Sequence, residues 1–194
     1  SLDGEPLVTH RTPLLRMGAA VVAPPPGAFL QASAAGEAAL AAHVLDSLAG
    51  ASRIVDLFCG IGTFALRLAS HAPVDAYDSE ADMLAALKAG ADGAATLKAV
   101  SVHRRDLLRT PLSALELKRY DAIVFDPPRS GARLQAGEIA KSRAGRVAAI
   151  SCDAATFARD ARVLIDGGFR LLRVYPVDQF RWSPHVEVAG AFAR

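Results

Sequence analysis

Two residues far apart in the chain, Cys152 and Glu187, supply a thiol and a carboxylate, and a further carboxylate stands in Asp126-Pro-Pro-Arg-Ser-Gly131. A nucleophile and a base are the minimal set for one demanding reaction, methylation of an unactivated pyrimidine carbon. The thiol adds at C6 and makes C5 electron-rich. C5 takes the methyl group, and the base removes the C5 proton so that the thiolate can leave. Two prolines stiffen the chain after Asp126 and remove backbone donors, which holds that carboxylate at a cleft edge to orient or polarise the base. A related arrangement with an aromatic after the two prolines serves amino-group methylation. Here Arg129 has that place, which argues against that reaction. Blander readings stand beside these: a lone Cys is usually an inert buried residue, a strand Glu often pairs with an Arg, and Arg129 suits a surface ion pair. A free thiol titrates near about 8.5, so Cys152 needs nearby positive charge or helix N–H groups, and a helix starting at about Ala154 is the expected source.

A second constellation binds rather than reacts. Asp56, Gly60 and Gly62 lie between an apolar strand and a helix. Glycines there turn the backbone sharply and let it approach a ligand, and the helix start offers free N–H groups. Asp78 closes the next strand, where a carboxylate accepts hydrogen bonds from both hydroxyls of a ribose. Asp106 follows the third strand, within reach of an adenine edge. Gly60-Ile-Gly62-Thr-Phe-Ala65 also fits the permissive dinucleotide pattern, a weak signal by itself. Asp56 tilts the balance: a carboxylate suits the cationic amino-acid end of S-adenosylmethionine and repels a pyrophosphate. Cys59 reads as a small buried hydrophobe.

The elements that must position these residues alternate. Strands are expected over 53–58, 74–78, 97–103, 120–126 and 145–151, with helices over 33–49 capped by Ser33, 63–71, 79–91 capped by Ser79, and 153–167 ended by Gly167 and Gly168. Two closing strands, 169–178 and 185–193, have no helix between them. This predicts an α/β fold, a mostly parallel seven-stranded sheet covered on both faces with a C-terminal antiparallel hairpin. Ligands bind such sheets at the carboxyl ends of the strands, where every candidate above sits. Residues 7–10 and 14–23 read as short strands before Pro24 to Pro26, so 1–30 form an arm or the remnant of another subdomain and 31–194 the catalytic domain.

With 194 residues, 52% hydrophobic and 22% charged, the chain suits one folded domain. No apolar run reaches the roughly 18 residues of a membrane span, and no signal peptide is visible. Two cysteines make neither a disulfide framework nor a metal site, and a cytoplasmic setting is expected. The net charge of +2 permits an anionic partner.

Assembled, these residues resemble the RNA uracil-5-methyltransferase family, which makes 5-methyluridine in transfer and ribosomal RNA. The resemblance runs from about Gly27 to the C-terminus. It implies a Rossmann-like S-adenosylmethionine-dependent methyltransferase fold and an RNA substrate, tRNA or rRNA. The family's F-x-Q motif is Phe29-Leu-Gln31, so Gln31 is implied to contact the cofactor. Its DLFCGxGxF stretch is intact as Asp56 to Phe64, implying contacts from Phe58 and Thr63. Asp78 stands where the family usually has Glu, Asp106 matches the next cofactor contact, and Asp126 the acidic residue of the DPPR loop. Cys152 matches the nucleophile and Glu187 the base. The usual SCNP reads Ser151-Cys-Asp-Ala154, and D-x-F-P-x-T reads Asp178-Gln-Phe-Arg-Trp-Ser183. Members typically carry an N-terminal RNA-binding domain and some an iron–sulfur cluster. Starting at Ser1 without either, the chain reads as the catalytic part of a longer protein. Three rival readings stand open: an RNA methyltransferase without covalent catalysis, a nicotinamide-dependent oxidoreductase using the same glycine turn, and a non-catalytic RNA-binding remnant.

Overall fold

The computed structural model describes residues 11–180, 182, 183 and 185–194. The strand expected over 7–10, and Arg181 and Pro184 of the C-terminal motif, lie outside them. The apolar segment before the prolines forms a hairpin, β1 (Leu15–Met17) and β2 (Ala20–Val22). Then follow α1 (Ala34–Ser47), β3 (Ile54–Leu57), α2 (Ala65–Leu68), β4 (Val74–Asp78), α3 (Ala81–Asp92), β5 (Val100–Arg104), α4 (Ala114–Leu117), β6 (Ala122–Phe125), α5 (Arg133–Lys141), β7 (Arg146–Ser151), α6 (Ala154–Asp166), β8 (Arg170–Val177) and β9 (Glu187–Ala193).

Seven strands make one sheet in the order β5-β4-β3-β6-β7-β9-β8. Pairings from β5 through β7 are parallel, and β9 inserts antiparallel between β7 and β8. The expected closing hairpin is therefore present, but its second strand, not its first, joins the parallel sheet. Buried side chains alternate between two cores. Ile54, Val124, Ala148 and Ile150 face Leu40, Leu66 and Leu87 of α1, α2 and α3. Val55, Leu57, Ile123 and Val147 face Leu117, Ile139 and Leu164 of α4, α5 and α6. Burial on both faces is why the inner strands read as continuous apolar runs.

Local chemistry sets the helix ends. Ser33 caps α1, its Oγ accepting the Gly36 N–H at 3.0 Å. Asp153 caps α6, accepting from Ala155 and Thr156. Ser79 does not cap α3: the helix starts two residues later, and the Asp78 carboxylate takes the Glu80 N–H at 3.0 Å. The helix expected over 63–71 shrinks to the four residues of α2, flanked by turns. Two helices, α4 and α5, escaped the sequence reading. The first carries a reciprocal capping box between Ser113 and Glu116.

The β1–β2 hairpin packs on the core. Met17, Ala20 and Val22 are buried with the α3 side of the sheet. Gly90 leaves room for it, since a Cβ there would lie 2.7 Å from Val22 Cγ2.

Gly62 has a similar duty. Its φ is 93°, and a Cβ would lie 2.7 Å from Leu87 Cγ and 3.0 Å from Leu66 Cγ. Gly62→Ala is expected to lower unfolding stability by about 2–4 kcal/mol through overpacking and left-handed strain. Gly60→Ala, with φ 53° and nothing within 4 Å of the added carbon, should cost only about 1–2 kcal/mol. Urea denaturation of the two variants checks the difference.

Candidate active site

An open cleft of about 700 Å³ lies beyond the ends of β3, β4, β5 and β6. Phe58, Gly60, Asp78, Asp106 and Asp126 line it, five of the residues read from the sequence. Phe29, Met83, Leu107 and Leu108 add apolar walls that residue-type reasoning did not single out. Only Phe29 carried a signal, as the first residue of the F-x-Q motif.

Each carboxylate has a distinct setting. Asp78 accepts the Gly60 N–H at 2.9 Å and the Glu80 N–H at 3.0 Å, tying the glycine turn to the end of β4. Asp106 uses Oδ1 to hold the turn after β5 through the Leu108 and Arg109 N–H groups. Asp56 lies behind the turn, fully buried, and among the described residues neither of its oxygens has a well-formed hydrogen bond. Burial pushes its pKa up to about 7, with the Ala65 amide opposing and Asp78 adding to the rise. A buried carboxylate without a partner costs free energy that a cation nearby offsets. That fits the cationic end of S-adenosylmethionine and disfavours a pyrophosphate.

The remaining cofactor candidates divide. Phe58 adopts φ 64° and packs edge-on against Phe125 at 6.1 Å, which turns it toward the cleft. Gly60 is open to the cleft, whereas Gly62 faces Leu66 and Leu87, so only the first glycine suits close approach of a ligand. Thr63 is not in the cleft wall; its carbonyl accepts from Arg67 at 2.5 Å. Gln31 is likewise outside the wall, its Oε1 accepting from Gln179 Nε2 at 2.6 Å. Gln179 itself fits because Gly36 has no side chain.

Three groups gather at neighbouring strand ends: Asp126 after β6, Cys152 after β7 and Glu187 at the start of β9. Val188, next to Glu187, pairs with Ser151, next to Cys152. Glu187 is buried, which raises its pKa while Gln179 opposes. Asp126 is pushed well above the carboxylate range by burial, by Glu187 and by Asp56. Cys152 is half-buried, and burial raises its thiol pKa. Glu187 and Asp126 raise it further; its own backbone amide and Arg129 oppose. The helix N–H groups expected to activate this thiol are occupied, because Asp153 accepts from Ala155 and Thr156. Arg129 lies 3.8 Å from Asp153 and 3.4 Å from His185, the surface contact of the bland reading, yet its charge still favours the thiolate. Cys59 is buried, as expected.

The family described as methyltransferase small domain matches residues 21–144. The chain belongs to that family. Among relatives, a Caulobacter vibrioides protein described as an uncharacterized RNA methyltransferase is 50% identical over all of this chain and 47% of its own length. A Pseudomonas fluorescens 23S rRNA (uracil(1939)-C(5))-methyltransferase is 38% identical over 86% of this chain and 38% of its own length. The chain thus spans less than half the length of these relatives. Among solved structures, the Pyrococcus abyssi tRNA (uracil-54, C5)-methyltransferase in complex with S-adenosyl-L-homocysteine superposes with a TM-score of 0.81 at 23% identity, over 94% of this chain and 44% of that one. This shows the same fold. These similarities agree with the resemblance drawn from the motifs.

Asp56 makes stability depend on pH. Its folded pKa lies above the unfolded value, so the folded state holds the proton longer, and stability falls as pH rises from about 4 to about 7. Asp56→Asn lacks that slope. Its stability relative to the parent chain should therefore improve between about pH 5 and about pH 8, while calorimetric affinity for S-adenosylhomocysteine drops. Parallel denaturation curves across that range would contradict the assignment.

Proposed function

We propose that the protein containing this chain methylates C5 of a uridine in RNA, tRNA or rRNA, through a covalent adduct between Cys152 and C6 of the base. The observation that carries this reading is that Cys152, just past the end of β7, and Glu187, at the start of the adjacent β9, lie beside the cleft that Asp126 lines. S-adenosylmethionine, when bound, supplies an electrophilic methyl group on a cationic sulfur. In this reading Gly60, Asp78 and Asp106 hold its nucleoside and Phe58 flanks it. Asp56 favours the positive charge, with Gln31 and Thr63 as supports behind the wall.

The reacting base must leave its stack, or already lie exposed in a loop, to reach Cys152. The thiol gives its proton to solvent and Sγ bonds to C6, which moves the C5–C6 electron pair to C5. Once C5 carries the methyl group, Glu187 takes the C5 proton. The pair left behind re-forms the C5–C6 double bond, and the Sγ–C6 bond breaks to return the thiolate. A carboxylate raised by burial is a stronger base once ionised, which suits Glu187 to this task. Asp126, which lines the cleft, polarises the uracil in this reading.

One observation favours a second reading, methyl transfer to RNA without an adduct: the Cys152 thiol is raised, not lowered. The adduct separates the two. The whole protein is expected to form a denaturation-resistant complex with 5-fluorouridine RNA, and Cys152→Ala to lose both complex and methylation. Glu187→Gln should slow turnover by about 100-fold or more and accumulate the adduct on ordinary uridine RNA. Full activity in Cys152→Ala would defeat the covalent route.

A further inference from the structure

We propose that Trp182 is a stacking platform for an unpaired nucleobase of the RNA, next in sequence to the target uridine. This rests on the RNA reading above and adds to it a specificity-determining residue.

The loop from Asp178 to Val186 joins β8 to β9, so it lies over the strand end where Glu187 and Cys152 sit. Its frame is fixed. The Ser183 N–H donates to the Phe180 carbonyl at 3.1 Å, closing a turn. The His185 N–H donates to Ser183 Oγ at 3.1 Å. The Phe180 and His185 rings meet edge to face at 6.5 Å, and Arg129 reaches His185 from the loop after β6. These residues near Trp182 are tied down, yet among the described residues nothing covers its side chain: its exposure is 103% of the reference value.

Its backbone is also strained. Trp182 is the third residue of the turn with φ 67°, a position that favours glycine or asparagine. Left-handed backbone at a bulky residue is unfavourable and persists where it serves a site. A fully exposed indole adds nothing to the fold that offsets this cost. It is the only tryptophan in the sequence.

The chemistry nearby says what would cover it. Arg129, 62% exposed, presents a guanidinium on the same rim, and Cys152 marks where the target base must arrive. An aromatic face beside a cation, at the mouth of a site for a flipped base, suits a single-stranded segment: a neighbouring base stacks on the indole while a phosphate meets the arginine. Stacking needs no hydrogen bonds and tolerates any base.

The lone tryptophan provides the readout. The 194-residue chain is titrated with a short single-stranded oligoribonucleotide carrying one 5-fluorouridine, and with the same strand lacking the bases on either side. Trp182 emission should be quenched by the first strand and not by the second. By anisotropy of labelled RNA, Trp182→Ala should bind about 5- to 150-fold more weakly, and Trp182→Phe should recover most of the loss. Unchanged emission, or equal binding by Trp182→Ala, overturns the proposal. Adduct formation at Cys152 is followed in the same samples. An adduct with unchanged emission overturns the stacking role alone, and absence of both overturns it with the reaction it serves. Quenching without an adduct supports stacking and contradicts the covalent step.

Discussion

A buried carboxyl group without a well-formed hydrogen bond is the constraint around which this domain is arranged. Asp56 sits in the middle of the sheet, closed to solvent, and among the described residues the Ala65 amide is the group that opposes its raised pKa. Such a group is carried at a cost to stability. Its influence does not stop at its own strand. Asp78, from β4, raises it, and it raises Asp126, which Glu187 raises as well. Along the order β4-β3-β6-β7-β9 this edge of the sheet is thus a row of acids with the Cys152 thiol among them. Asp56 and Asp126 in it are shifted toward the protonated form, and such an edge favours a cationic ligand. The glycine turn, the half-buried Phe58 and the apolar wall from Phe29 to Leu108 shape the cleft in front of it.

The same field explains the state of the nucleophile. Cys152 is raised by Glu187 and Asp126 and its helix N–H groups are taken by Asp153, so among the described residues its own amide and Arg129 favour the thiolate. A thiol kept protonated resists oxidation and stray alkylation.

Much of this could be read in the residues. The alternation of strands and helices gave the sheet, and strand ends marked where Asp56, Asp78, Asp106, Asp126, Cys152 and Glu187 would stand, because carboxyl ends of parallel strands are where chain turns open toward solvent. What escaped depended on partners distant in the chain. Gly62 looked like a ligand glycine, but Leu87, on a helix one strand further on, claims the space above it. Ser79 had the right type for a cap, yet Asp78, already bent toward Gly60, takes the Glu80 N–H first. Asp153 was read as opening a helix without the consequence that it consumes the donors Cys152 would have used. The S-x-x-E signature at Ser113 was legible and went unread. Gln31 was placed by motif, while its partner Gln179 lies in the last loop, and only the fold brings them to 2.6 Å.

Proton linkage on ligand binding tests the central claim most directly. If Asp56 holds a proton in the free chain, binding the cationic amine of S-adenosylhomocysteine near about pH 6.5 should ionise it. Calorimetric enthalpies measured in buffers of different ionisation heat would then show net proton release, lost in Asp56→Asn. Enthalpies that do not depend on the buffer, with tight binding retained in both proteins, would contradict the account.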